Sequence, residues 1–125
     1  MSAYLDGLRL LARRELSVAG LRARLIDREH PAGEVEAALT QLLEAGALDD
    51  KRVALAHART AAQVKGRGRL RVVRELHALG IARDVAAEAI GEAFGDLDER
   101  ALITRALRKK LHGHTRIAGD RKSVV

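Results

Sequence analysis

A short motif that occurs twice restricts the fold of this 125-residue chain. The segment AGALDD at residues 45–50 returns as FGDLDE at residues 94–99, so that Leu48 and Leu97 are 49 positions apart. Each copy follows an amphipathic stretch, passes a glycine and a leucine, and opens the next stretch with two acids. Such a period is typical of tandem helical repeats, in which each unit buries its apolar face only against its neighbours. The motif therefore predicts an extended binding surface for a macromolecule rather than a catalytic pocket.

Apolar periodicity predicts three helices in the first unit. Apolar side chains recur at helical spacing over residues 4–16, 18–26 and 34–44. Ser17 is the predicted N-cap of the second helix, because a small hydroxylic residue stands directly before a new periodic run. Gly46 is the predicted left-handed residue that ends the third helix.

The second unit repeats this pattern. Residues 49–64, 70–79 and 84–94 carry the next three periodic stretches. Gly66 and Gly68 separate the first stretch from the second and predict a break in the helix between them. The order of helices in the second unit is therefore expected to match that in the first.

A third unit begins at Asp98 and contains one periodic stretch, which ends near Leu111. Residues 113–125 show no helical periodicity and are predicted to form a loose basic tail. No segment alternates as a β-strand does. We therefore predict an all-α fold of tandem three-helix, helix-turn-helix-like repeats in an elongated array. The first repeat spans 1–47, the second 48–96, and an incomplete third, with one helix and the tail, 97–125.

Composition argues against several classes of protein. The chain has no Cys, which excludes disulfides and Cys-ligated zinc, and no apolar run approaches the ~20 residues that span a bilayer. Neither a P-loop nor a Gly-x-Ser-x-Gly or His-Glu-x-x-His motif is present. His112 and His114 lack further ligands nearby, so we expect no metal. We predict a soluble cytoplasmic protein without a cofactor that is not an enzyme.

The net charge of +6 is unevenly distributed. Residues 1–50, 51–82, 83–99 and 100–125 carry net charges of −3, +7, −5 and +7. The first basic block contains five cations and no acid within ten residues, here named the basic strip: Lys65, Arg67, Arg69, Arg71 and Arg74. The strip leads from a Gly-x-Gly loop into a helix N-terminus, which already favours anions. It predicts a phosphate or acidic-surface site, and the alternative is a solvated charged face.

The second basic block is here named the distal basic block and comprises Arg105, Arg108 and Lys109, with Arg116 further along. Their i, i+3, i+4 spacing places the first three on one helix face. They predict a second binding surface, although cations near a helix C-terminus also serve as dipole partners. A third set of cations is expected to form exposed ion pairs of little energy with Glu15, Asp27 and Glu29. This set is Arg13, Arg14, Arg22, Arg24 and Arg28.

Four segments of the chain resemble the RecX family of bacterial recombination regulators. They are residues 8–25, LLEAGALDDKR at 42–52, Lys65–Gly68 followed by Glu75-Leu76, and Gly80-Ile81 before an acidic helix. The resemblance covers residues 4–112. It implies a curved array of three-helix repeats in a cytoplasmic, non-enzymatic protein. It also implies a protein that binds the RecA recombinase on DNA and inhibits ATP hydrolysis, strand exchange and coprotease activity.

The chain departs from the family in two ways. Its third repeat ends after one helix, and aliphatic residues replace most of the family's aromatic residues. The implied partners are the RecA filament and single- and double-stranded DNA bound through the basic faces, and we expect a monomer that does not bind membranes.

The alternative function is that of a stand-alone basic helix-turn-helix DNA-binding protein. Against it, Asn is absent and Gln41 and Gln63 are the only Gln residues, so the usual readers of adenine are scarce.

Overall fold

The prediction of an all-α chain is confirmed. The computed structural model describes residues 1–118, and it describes side chains up to residue 112. In chain order the helices are α1 (Ala3–Arg13), α2 (Val18–Asp27), α3 (Ala32–Glu44), α4 (Asp50–Arg59), α5 (Arg69–Ala78) and α6 (Arg83–Ala118). A π-helical turn at Thr60–Val64 continues α4. No strand occurs within the described part of the chain.

The predicted helix ends of the first unit are present in the structure. The Ser17 hydroxyl accepts a hydrogen bond from the Gly20 N–H at 3.0 Å and caps α2. Gly46 adopts a φ of 76°, and the Ala47 N–H donates to the Leu42 carbonyl at 2.9 Å. This left-handed reversal satisfies carbonyls at the end of α3 that would otherwise lack a donor.

Helices α1 to α3 enclose the first core, which consists of Leu16, Leu21, Leu25, Val35, Leu39, Leu42 and Leu48. Leu21, Leu25, Val35 and Leu42 are completely buried. Gly7 of α1 lets the helices approach closely, since a Cβ at this position would lie 3.0 Å from Leu42 Cδ1. The first core is therefore built from the first three helices together with Leu16 and Leu48 from the loops that follow α1 and α3.

A buried carboxylate links α1 to the end of α2. The side chain of Asp6 is 4% exposed, and its Oδ2 lies 2.6 Å from Arg28 Nε and 2.7 Å from His30 Nε2. Hydrogen bonds, first from His30 and then from Arg28, hold the pKa of Asp6 below its ordinary value. Its Oδ1 is buried and lacks a hydrogen-bond partner among the described residues. These contacts tie the start of the chain to the turn before α3.

The second core is formed by α4, the π-helical turn, α5 and α6. Alanines at 0–1% exposure, among them Ala54, Ala58 and Ala93, let these helices pack closely, while Leu76 and Ile90 supply bulk. The second unit repeats the first, since the starts of α2 and α5 (residues 18 and 69) are 51 residues apart, as are those of α3 and α6 (residues 32 and 83).

Polar contacts join the two units at what we call the junction. The Ser17 hydroxyl donates to the Leu79 carbonyl at 2.6 Å, and the Val18 N–H donates to Asp50 Oδ1 at 2.9 Å. Arg52 Nε lies 2.6 Å from Glu15 Oε2. The N-terminus of α2 is thus capped from both units, which fixes its position against α4 and α5.

The helix that closes the second unit does not end where the motif predicts. Gly95 and Leu97 lie inside α6, which runs unbroken to Ala118. Leu97 follows Ala93 by four residues, so a continuous helix brings it against the second core, where it packs. Leu48 follows Leu42 by six residues, a spacing that takes it off the buried helix face, so the chain must turn at Gly46 to bury it.

Two further sequence expectations are therefore wrong. A separate helix does not begin at Asp98, because that residue lies within α6, and residues 113–118 are helical rather than a loose tail. The rest of the predicted tail, residues 119–125, lies outside the described residues.

Candidate protein and nucleic-acid interface

The basic strip spans the loop before α5 and the first turns of that helix. Gly66 has a φ of 65°, and Gly68 occupies the N-cap position of α5. No side chain caps this helix start in the described structure, so first-turn amides of α5 face outward beside Arg69 and Arg71. An open helix N-terminus next to arginines is suited to bind an anion.

Glu75 neutralises part of the basic strip. Its Oε2 lies 2.6 Å from Arg67 Nη1 and 3.4 Å from Arg71 Nε, and its Oε1 lies 2.9 Å from His57 Nε2. The hydrogen bond with His57, and after it the charges of Arg67 and Arg71, lower the pKa of Glu75. This carboxylate stands one residue beyond the acid-free segment and folds back onto it. Arg67, with 23% of its side chain exposed, therefore has a structural role at the start of α5.

Arg69 contacts α6 rather than extending freely into solvent. Its guanidinium lies 4.7 Å from the centre of the Phe94 ring, and its Nη2 is 3.8 Å from Asp98 Oδ2. A cation over an aromatic face at this distance is attracted by the ring quadrupole. The residue helps attach the loop before α5 to the second core.

Lys65 and Arg74 are the members of the basic strip for which no ion pair occurs among the described residues. Arg74 borders a groove of about 550 Å³ between α5 and α6, together with Arg83 and His77. Ile81 and Ile90 contribute to the apolar lining of this groove. The structure thus places the five strip residues in three different environments.

Arg105, Arg108 and Lys109 of the distal basic block are exposed on the C-terminal half of α6. Arg105, Arg108 and Lys109 share one side of the helix, and no acid pairs with them in the part of the chain whose side chains are described. Arg116 lies on the same helix, beyond the described side chains. These three side chains are therefore accessible to a polyanion.

Sequence reasoning missed a second groove, which lies at the junction and has a volume of about 620 Å³. Arg14 and Arg24 from the first unit face His57 and His77 from the second across it. The first-unit arginines differ from their expected partners: Arg22 pairs with Glu36, Arg28 pairs with Asp6, and Arg14 and Arg24 form no ion pair with described residues. No local signal reveals this groove, because its walls are brought together from distant segments.

Comparison with known families identifies the chain. The model of the first three-helix domain of RecX matches residues 3–42, and that of the second three-helix domain matches residues 49–90. The chain belongs to the RecX family. Both matched ranges fall within the two units that enclose the two cores.

Relatives support this RecX assignment over most of the chain. A regulatory protein RecX from Halorhodospira halophila is 35% identical over 118 residues, covering 94% of this chain and 70% of the relative. A regulatory protein RecX from Pelodictyon phaeoclathratiforme is 34% identical over 83% of this chain and 62% of the relative. One from Thermus thermophilus is 40% identical over 82% of this chain and 69% of the relative. The chain thus spans about two thirds of the length of these RecX proteins.

Solved RecX structures share the fold. A crystal structure of regulatory protein RecX superposes with a TM-score of 0.70 at 22% identity, over 95% of this chain and 58% of that chain. RecX from Lactobacillus salivarius superposes with a TM-score of 0.68 at 18% identity, over 70% of this chain and 57% of that chain.

Two further observations limit the chemistry of the described region. No described helix is both long and apolar enough to cross a membrane. No three potential ligand side chains (His, Asp or Glu) come together to hold a metal ion within the described residues.

Proposed function

We propose that this RecX-family chain binds the RecA–DNA filament and inhibits RecA. The inhibited activities are ATP hydrolysis, strand exchange and coprotease function, so the protein modulates recombination, DNA repair and the SOS response in the cytoplasm. The observation that carries the proposal is the match to both three-helix RecX domains, supported by relatives that are named as regulatory proteins. The protein acts by occupancy of the filament and not as an enzyme.

We propose that the exposed cations make the contacts with the filament. Lys65 and Arg74 of the basic strip and the distal basic block are exposed and unneutralised by described acids, which favours contacts with phosphates or acidic protein surfaces. Arg67, Arg69 and Arg71 contribute by positioning the start of α5, since their guanidiniums contact Glu75 or Phe94.

The repeat boundaries belong to the same proposal. Residues 1–47 and 48–96 act as two repeats, and 97–125 carries the first helix of a third, which continues from the second without a break.

The test is a titration into RecA pre-assembled on single-stranded DNA, with ATP hydrolysis as the readout. One variant replaces Lys65, Arg74, Arg105, Arg108 and Lys109 by Ala. The control replaces Arg22 and Lys51 by Ala, two cations that lie outside these surfaces. We expect the wild-type and control proteins to suppress hydrolysis and the five-site variant to require a much higher concentration. Inhibition by the five-site variant equal to that by the control would remove these residues from the mechanism.

The helix-turn-helix alternative gives a different result in the same experiment. A stand-alone DNA-binding protein would select a specific duplex sequence in the absence of RecA and would leave hydrolysis on the preformed filament unchanged. Because either function predicts binding that weakens with salt, a mobility shift alone does not separate them.

A further inference from the structure

The C-terminal half of α6 carries an apolar stripe beyond both cores. Leu102, Ile103 and Leu107 are 60%, 54% and 55% exposed, and Ala106 lies between them on the helix surface. The spacing of these four residues places them on one face of the helix. Large aliphatic side chains grouped in this way on a surface mark an interaction site.

The repeat indicates that this face is built to be covered. The two copies of the Leu-Asp motif are 49 residues apart, from Leu48 to Leu97. The same shift aligns Leu102, Ile103 and Leu107 with Val53, Ala54 and Ala58. These three residues of α4 are 7%, 0% and 0% exposed, because α5 and α6 pack against them. The equivalent face on α6 has no such cover within the described residues.

Charges at the two ends of the stripe are complementary to each other. Glu99 and Lys110 share the face of Ile103 and Ala106, since their spacing follows the helical repeat. They are 11 residues, and so about 16 Å, apart along the helix axis. Consider a second copy of α6 that packs antiparallel to the first, with the two-fold axis between residues 104 and 105. In this register Glu99 lies level with Lys110 of the partner subunit.

The same register aligns the apolar side chains. Leu102 comes level with Leu107 of the partner subunit, and Ile103 with Ala106 of the partner subunit, so both copies use the same patch, as a two-fold interface requires. Arg105 and Arg108 point away, because they lie on the opposite side of α6, whereas Lys109 flanks the stripe beside Leu102. The pairing thus brings Glu99 and Lys110 together, while Arg100 and Lys109, which also come level, flank opposite edges of the stripe.

We propose that the stripe is a self-association surface that a second copy of this chain covers in antiparallel register. Two helical stretches of about three turns bury less than the roughly 1,200 Å² of a standard stable interface, so the dimer is weak and concentration-dependent. This inference replaces the sequence-based expectation of a monomer and is independent of the proposed RecA function.

The test is sedimentation equilibrium of the full chain over a range of concentrations, combined with charge reversal. In a dimer of either single variant, Glu99→Lys or Lys110→Glu, residues 99 and 110 carry the same charge. Because the interface is two-fold symmetric, two such pairs of like charges come level with each other. We expect the dissociation constant of the dimer to be about tenfold to thirtyfold higher for each variant alone than for the wild type. The reason is that the interaction energy of each of the two rim charge pairs changes by up to about 1 kcal/mol. A mixture of the two variants restores both opposite-charge pairs and recovers association as a heterodimer.

Two more variants complete the experiment. Leu107→Asp is expected to abolish association, and Arg83→Glu, a charge reversal on the same helix outside the stripe, to leave it unchanged. Circular dichroism verifies that every variant keeps its helix content. A wild-type chain that stays monomeric throughout the range overturns the proposal, as does a mixture of the two charge variants that associates no better than either alone.

Discussion

The Ser17 hydroxyl offers a direct measure of how strongly the junction couples the two units. It accepts a hydrogen bond from the Gly20 N–H at 3.0 Å and donates one to the Leu79 carbonyl at 2.6 Å. The first bond caps α2 within the first unit, and the second reaches the end of α5 in the second unit. Ser17 is only 2% exposed, so water does not replace either bond readily in the folded state. Ser17→Ala removes both bonds and little else.

The expected cost follows from these two contacts. Loss of a serine N-cap lowers the free energy of unfolding by about 1 kcal/mol, and loss of a buried hydrogen bond by about 1 kcal/mol more. Ser17→Ala should therefore cost about 2 kcal/mol. Ser2 is the matched control, since its hydroxyl caps α1 by accepting from the Leu5 N–H at 3.1 Å and is exposed. Ser2→Ala should cost no more than about 1 kcal/mol, because only a cap is lost.

The assay is urea unfolding of the two variants and the wild type, followed by far-UV circular dichroism. The difference between the variants, about 1 kcal/mol, measures the bond to Leu79. Equal costs for Ser17→Ala and Ser2→Ala would refute the argument, because they would mean that this bond across the junction adds nothing to stability.

Three more predictions concern the cores and the backbone. Leu25→Ala should cost about 2–5 kcal/mol in urea unfolding because Leu25 is fully buried, whereas Ile26→Ala, at a position 52% exposed, should cost much less. The pKa of Asp6 is lowered in the folded state, so its ionised form stabilises the fold above the ordinary pKa of 3.8. This stability is lost as the pH falls through the lower folded-state pKa. Asp6→Asn should therefore make the melting temperature depend less on pH in the acid range, as a pH series of thermal melts would show. Gly80→Ala should lower the melting temperature, because the φ of residue 80 is 80° and the new Cβ would overlap Ala19. Gly91→Ala, on the open surface of α6, should instead raise the free energy of unfolding by about 0.5–1 kcal/mol. The opposite order of the two variants in thermal melts would contradict this reasoning.

Local signals were sufficient for much of the fold. Apolar spacing located the helices of both units, and Ser17 and Gly46 act as the sequence predicted, because a cap and a left-handed turn depend on adjacent residues. The same reasoning was wrong at Gly95. A glycine permits a helix to end but does not require it, and the burial of Leu97 against the second core decides in favour of continuation.

The environment of the candidate site depended on contacts that no sequence window contains. The basic strip is acid-free in sequence, yet Glu75 lies beside Arg67 and Arg71 because the loop before α5 folds back. Arg69 meets Phe94 from a helix 25 residues away in sequence (94 less 69). The distal basic block, which has no such long-range partner among the described residues, remains as exposed as its helical spacing suggested.

Because α6 is unbroken, it fixes the direction in which the distal basic block points relative to the second core. Leu97 packs on the second core, and Arg105 follows it on the same continuous helix, so no flexible segment lies between them. Inserting one residue between them would swing every later side chain by about 100° around the helix axis. Inserting seven would return the block to nearly its original direction but carry it about 10 Å outward. Insertions in this stretch should therefore be tolerated when they add whole helical turns, as seven residues nearly do. Insertions of other lengths would turn the cations away from any partner they now face.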